Sequence, residues 1–143
     1  MAKTRSRKYQ EQKTWQAFSK YVRTRDCLNS TGNPNEGVCF TCGARLSYSK
    51  LQAGHIVSRT WGKAMYNPNV VFSQCTYCNH TREGAHVMGF FKLMEKYGLD
   101  KATEICMDAM GNHPYSIDEL VNIEIKCLAW VERKRDEWAV NNK

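Results

Sequence analysis

No apolar run in the 143 residues approaches the roughly 18 that a membrane-crossing helix requires. The basic start, Met1 to Lys13, has no apolar stretch behind it and so does not read as a secretory signal. Internal repeats and low-complexity tracts are absent too. A soluble, intracellular protein without membrane contact is expected. An apolar content of 42% is that of an ordinary globular chain, and the length suits one compact domain.

Acid is scarce at one end. Residues 1–25 carry eight Lys/Arg against Glu11 alone, which accounts for the whole formal charge of +7. The remaining chain is balanced. A basic arm on a neutral body suits phosphate, because Lys and Arg displace the counterions condensed on nucleic acid. Arg5, Arg7, Lys8, Lys13, Lys20 and Arg23 are the candidate DNA contacts, against the plainer reading of a solubilising terminus.

Seven cysteines in a reducing compartment do not make a disulfide framework. Four of them form two C-x-x-C pairs, Cys39/Cys42 and Cys75/Cys78, with 32 residues between Cys42 and Cys75. Thiolates two residues apart can fill two corners of a zinc tetrahedron from one tight turn, and two such turns close the shell. The βαβ context of a redox C-x-x-C is missing around both pairs. A structural zinc on Cys39, Cys42, Cys75 and Cys78 is therefore expected, with no position left open for catalysis. Cys27, Cys106 and Cys127 read as small buried apolar groups.

The pattern places these turns in a mixed chain. Trp15, Phe18, Tyr21 and Val22 recur at helical spacing between Tyr9 and Asp26, and Cys27 to Gly37 reads as loop. Gly43 offers a left-handed residue after the first turn. Short strands are expected through Gln52–Ile56 and Val70–Phe72, with Trp61 to Asn69 as loop. After Cys78 come a helix ending at Gly98, another over Leu99–Met110, and a last one opened by the capping box Ser116–Glu119. The expected class is α+β: a small zinc-stabilised ββα core over residues 27–92, a basic arm and helix over 1–26, and helices over 93–143.

His55 lies between the cysteine pairs, and Asn79 follows the second at once. Phosphodiester hydrolysis needs a base for water and a cation for the developing charge. A neutral imidazole serves as that base near neutral pH, and a carboxamide oxygen is a hard ligand suited to Mg(II) or Mn(II). Arg59 and Arg82 are placed to hold the scissile phosphate, and His80 or Glu83 to assist the metal. The plainer reading of His55 is a satisfied structural histidine.

The runs Phe18–Asp26 (FSKYVRTRD), Cys39–Gly43 (CFTCG), Ala53–His55 (AGH), Gln74–Asn79 (QCTYCN), Tyr97–Gly98 and Tyr115–Glu119 (YSIDE) resemble the phage NinG (Rap) recombination proteins. The likeness covers most of the chain, from about Trp15 to the last helix. It implies an HNH (ββα-metal) endodeoxyribonuclease of the host cytoplasm, acting on branched recombination intermediates such as Holliday junctions or D-loops. By that likeness His55 is the general base, Asn79 a Mg(II) ligand, and the four cysteines hold zinc. Phage resolvases of the endonuclease VII type are similar in the zinc frame and in the Asn after the last Cys. Two positions depart from the pattern. Many HNH sites have Asp before the histidine, where this chain has Gly54, and the middle Asn falls at Asn69 rather than at position 70, which is Val70. Two other readings follow: a zinc-stabilised DNA-binding module without cleavage, and an HNH nicking nuclease for packaging or restriction. The symmetric arms of branched DNA suit a homodimer.

Overall fold

The computed structural model describes residues 6–81 and 86–143. Arg5, Arg82 and Glu83 therefore lie outside the described residues. The class is α+β, with two small antiparallel sheets among helices. No helix among the described residues is long and apolar enough to cross a membrane. The chain forms two compact units, residues 1–21 with 114–143, and residues 22–113. The expected divisions at 26/27 and 92/93 fall within helices.

Helix α1 (Arg7–Thr31) contributes its first half to one unit and its second half to the other. It runs five residues past Asp26, so Cys27 to Thr31 is helix and not the expected loop. Ser30 and Thr31 hydroxyls bond back to the carbonyls of Asp26 and Cys27, at 2.7 and 3.0 Å, and so prolong the helix that their residue types would otherwise end. Gly32, at φ +75°, makes the stop.

The unit of residues 1–21 and 114–143 pairs the first half of α1 with the long C-terminal helix, Ile117–Asn141. Ser116 caps that helix: its hydroxyl accepts from the Glu119 amide at 3.1 Å, and the Glu119 carboxylate accepts from the Ser116 amide at 3.3 Å. The expected box is thus formed. Phe18 and Ala17 are buried, and the Tyr21 ring meets Trp130 edge-on with centroids 4.8 Å apart. Two polar residues are fully buried there. Gln10 donates to Thr14 and to Glu124, and Thr14 donates to the Leu120 carbonyl. Each satisfies what burial would otherwise leave costly.

The unit of residues 22–113 holds both cysteine pairs. Strands β1 (Glu36–Val38) and β2 (Arg45–Ser47) form a hairpin whose tip is the first C-x-x-C. Strands β3 (Leu51–His55) and β4 (Val71–Cys75) pair in a regular ladder, from Leu51 opposite Cys75 to His55 opposite Val71. The Ile56 amide extends that ladder to the Val70 carbonyl at 2.9 Å. No bulge intervenes, so buried Val70 stays in register and Asn69 remains in the preceding loop, its amide bonded to Asn67 Oδ1. The loop between the strands contains one short helix, α2 (Gly62–Met65). A π-helical turn (Tyr77–Thr81) follows β4, then α3 (His86–Tyr97) and α4 (Leu99–Ala109), separated by Gly98 as expected. The final helix is α5 (Ile117–Asn141).

Arg25 and Asp26 clamp this unit. Arg25 donates to Asp26 at 2.8 Å and to the carbonyls of Pro68 and Val71 at 2.7 and 2.8 Å. Asp26 accepts the Ser73 amide at 2.7 Å. One base of the arm is thus committed to holding β4 on α1. Asp26→Ala removes an acceptor from an Arg and from a strand amide, and is expected to cost about 2–3 kcal/mol in urea unfolding.

Candidate metal centre

The first C-x-x-C is a turn because β1 and β2 must reverse within six residues, Cys39 to Ala44. The Cys39 amide donates to the Ala44 carbonyl at 2.8 Å, and the Gly43 amide to the Cys39 carbonyl at 2.9 Å. Gly43 takes φ +78°, the left-handed conformation expected there. The second C-x-x-C bridges the end of β4 and the π-helical turn, with the Cys78 amide donating to Cys75 Sγ at 3.4 Å.

Three contacts carry the first turn to the second. The Phe40 amide donates to the Ser73 carbonyl at 2.8 Å. The Phe40 and Phe72 rings stack 4.0 Å apart and 8° from parallel. Gln74 Nε2 donates to Thr41 Oγ1 at 2.7 Å. In consequence the four sulfurs of Cys39, Cys42, Cys75 and Cys78 lie within 4.8 Å of one another, and Cys42 and Cys75 are 3.8 Å apart. A tetrahedral metal with bonds of about 2.3 Å sets its sulfurs about 3.8 Å apart. The four cysteines fit a metal ion such as zinc.

The electrostatics of the cluster agree with that. Burial opposes ionisation of Cys39, but backbone hydrogen bonds from Cys42, Cys75 and Thr41 outweigh it and lower its pKa. For Cys78, burial and then the neighbouring sulfurs raise the pKa. One thiolate is favoured and further ones repel it, a conflict that a divalent cation removes. The other three cysteines do not belong to this cluster. Cys27 and Cys106 are buried, and burial raises Cys106 and pushes the half-buried Cys127 up to about 11.

His55 ends β3 and is 8% exposed. Its Nε2 lies 2.9 Å from the Met65 carbonyl, which can only accept, so Nε2 carries the proton and Nδ1 the lone pair. Burial lowers its pKa first; the charges of Arg59 and His86 lower it further, against the opposing pull of the Met65 carbonyl. Arg59 is exposed beside it. His86, which sequence reasoning passed over, opens α3, and α3 is set here by Gly89 lying against Ile56.

Asn79, half-buried on the π-helical turn, donates through Nδ2 to Gln52 Oε1 at 2.9 Å. Its Oδ1 points the other way, within 2.7 Å of where a Cβ on Gly54 would stand. That puts a carboxamide oxygen beside the residue preceding His55. His80 is exposed on the same turn and outside the sulfur cluster. Gln52 and Gln74, opposite each other on β3 and β4, also reach this point, and the sequence signalled neither. Of the basic candidates, Arg7 pairs with Glu11 at 2.9 Å, Lys13 lies over the Tyr9 ring and Arg23 over Tyr48. Lys8 and Lys20 are exposed.

Native mass spectrometry is expected to find one zinc per chain, lost in Cys39→Ser and Cys75→Ser together with cooperative unfolding; retention of both would refute the assignment. His55 supplies a second expectation. Its lowered pKa means that the unfolded chain takes up the proton first, so its contribution is present above about 6.5 and is lost as pH falls through the folded value. Between pH 7 and pH 5 the wild type should lose more thermal stability than His55→Gln, the difference vanishing above pH 7.

No curated protein and no solved structure matches the chain. The family model described as "NinG: Bacteriophage Lambda NinG protein" matches residues 1–137. With that match spanning almost the whole length, the chain belongs to the phage NinG family.

Proposed function

We propose that this NinG-family protein is a metal-dependent endodeoxyribonuclease of the HNH type, cutting branched DNA during phage recombination. The family is one of phage recombination-associated proteins. The observation that carries the reading is the tautomer of His55. Its Nε2–H is held by the Met65 carbonyl, which leaves a lone pair on Nδ1 of a ring kept neutral by its surroundings. That is the state a general base needs.

The rest of the site supports the same chemistry. Asn79 presents its carboxamide oxygen next to the His55 segment, and the donor type fits Mg(II) or Mn(II). A divalent cation held there would supply Lewis-acid stabilisation of the charge developing on the phosphate. His55 Nδ1 takes the proton of the attacking water, the water oxygen forms the new P–O bond, and the bond to the leaving oxygen breaks. Exposed Arg59, whose charge acts on His55, is the candidate to pair with a phosphate brought to that base. The zinc on the four cysteines is structural in this reading, since four thiolates leave no position for substrate. Lys8, Lys13 and Lys20 on α1 contribute sequence-independent contacts to the DNA backbone.

Purified protein with Mg(II) is expected to nick Holliday-junction, flap or D-loop DNA. His55→Ala should lower that rate by about 10²–10⁴-fold with junction binding retained. Equal rates for wild type and His55→Ala would sink the catalytic assignment. Binding without cleavage under any divalent metal would select a DNA-binding module instead, and preference for plain duplex would select a packaging or restriction nicking role.

A further inference from the structure

Residue 54 is a glycine packed where a side chain has no room. A Cβ there would lie 1.7 Å from Gln74 Oε1, 2.7 Å from Gln74 Cδ and 2.7 Å from Asn79 Oδ1. Two carboxamide oxygens, from a strand and from a π-helical turn, thus converge on one point beside β3. The convergence is enforced from outside. Gln74 is fully buried, and its Nε2 is engaged by Thr41 Oγ1 at 2.7 Å, which directs Oε1 towards Gly54. Asn79 Nδ2 is engaged by Gln52 Oε1 at 2.9 Å, which directs Oδ1 to the same place. Both amides have their donors turned away and their acceptors turned inward.

Two carboxamide oxygens turned towards one point suit a hard cation, which binds oxygen and needs no hydrogen. Each oxygen is oriented by an outer partner in the manner of ligand-supporting hydrogen bonds. Thr41 belongs to the first cysteine turn, and Gln74 immediately precedes Cys75. The sulfur cluster therefore sets the position of the oxygen pair.

We propose that Gln74 Oε1 is a second protein oxygen for the divalent cation held by Asn79, occupying from β4 the space that a side chain on residue 54 would otherwise take. The proposal rests on the reading of Asn79 as a cation ligand in the proposed nuclease. It also accounts for Gly54, which leaves room for the Gln74 carboxamide.

The test is Mn(II) binding to the zinc-loaded full chain, followed by the electron paramagnetic resonance of free Mn(II), with zinc content and circular dichroism as checks on folding. Gln74→Met keeps the side-chain length and removes the oxygen, and should weaken Mn(II) binding by about tenfold or more. Gln74→Glu places a charged oxygen at the same point, so its binding should tighten and its melting temperature should rise on adding Mn(II). A buried glutamine with a merely structural role would make Gln74→Glu less stable with no response to Mn(II), and that result overturns the proposal. Asn79→Ala separates the two readings. Loss of Mn(II) binding in Asn79→Ala with unchanged affinity in both Gln74 variants refutes Gln74 alone. Unchanged affinity in Asn79→Ala refutes the cation site itself.

Discussion

Four sulfurs held within 4.8 Å of one another are the constraint on which the unit of residues 22–113 depends. As thiolates they repel, and as thiols they offer little hydrogen bonding. A divalent cation held there would make this cluster a staple between a hairpin tip and the end of a strand. The staple matters because the sheets are small: two ladders of two strands each, which bury too little apolar surface to stand by themselves. Around it, Phe40 on Phe72, Arg25 with Asp26, and the Phe40 amide on Ser73 tie the hairpin and α1 to β4.

What the cysteines organise extends beyond the sulfur cluster. Thr41 lies between Cys39 and Cys42, and its hydroxyl fixes the Gln74 amide; Gln74 in turn crowds Gly54, next to His55. The chain of contacts from sulfur cluster to histidine is thus short and polar. It runs along the ladder, where neighbouring side chains alternate between faces. Gln52, Gly54 and Gln74 share one face, while His55 ends the strand and bonds to the Met65 carbonyl. The cysteine cluster and His55 thus stand at opposite ends of one ladder and share no side chain.

The basic terminus looks less uniform once folded. Arg25 is spent on two carbonyls and Asp26, Arg7 on Glu11, and Arg23 lies on a tyrosine ring. Composition counts charges; it does not say which guanidinium already has a partner. Gln10 and Thr14 make the same point from the other side, as polar residues at the centre of a helix pair where an apolar stripe was expected.

Local chemistry was legible from the chain alone. The two cysteine turns, the left-handed Gly43, the strand carrying His55 and the one from Val71, the break at Gly98 and the box at Ser116 each follow from a few adjacent residues, because turns, caps and alternation act over short range. The continuation of α1 to Thr31 was not legible, since Ser and Thr favour loops unless their hydroxyls find helix carbonyls, as those of Ser30 and Thr31 do. Nor were the parts played by Met65, His86, Gln52 and Gln74. Each is brought to His55 or Asn79 by strand register or helix docking, across gaps of tens of residues in some cases, and no spacing rule connects them. The sequence by itself determined which atoms are available as ligands and where the chain must turn. Only the tertiary structure decided that Gly54 is bare because Gln74 fills its place, since that depends on two side chains competing for one volume.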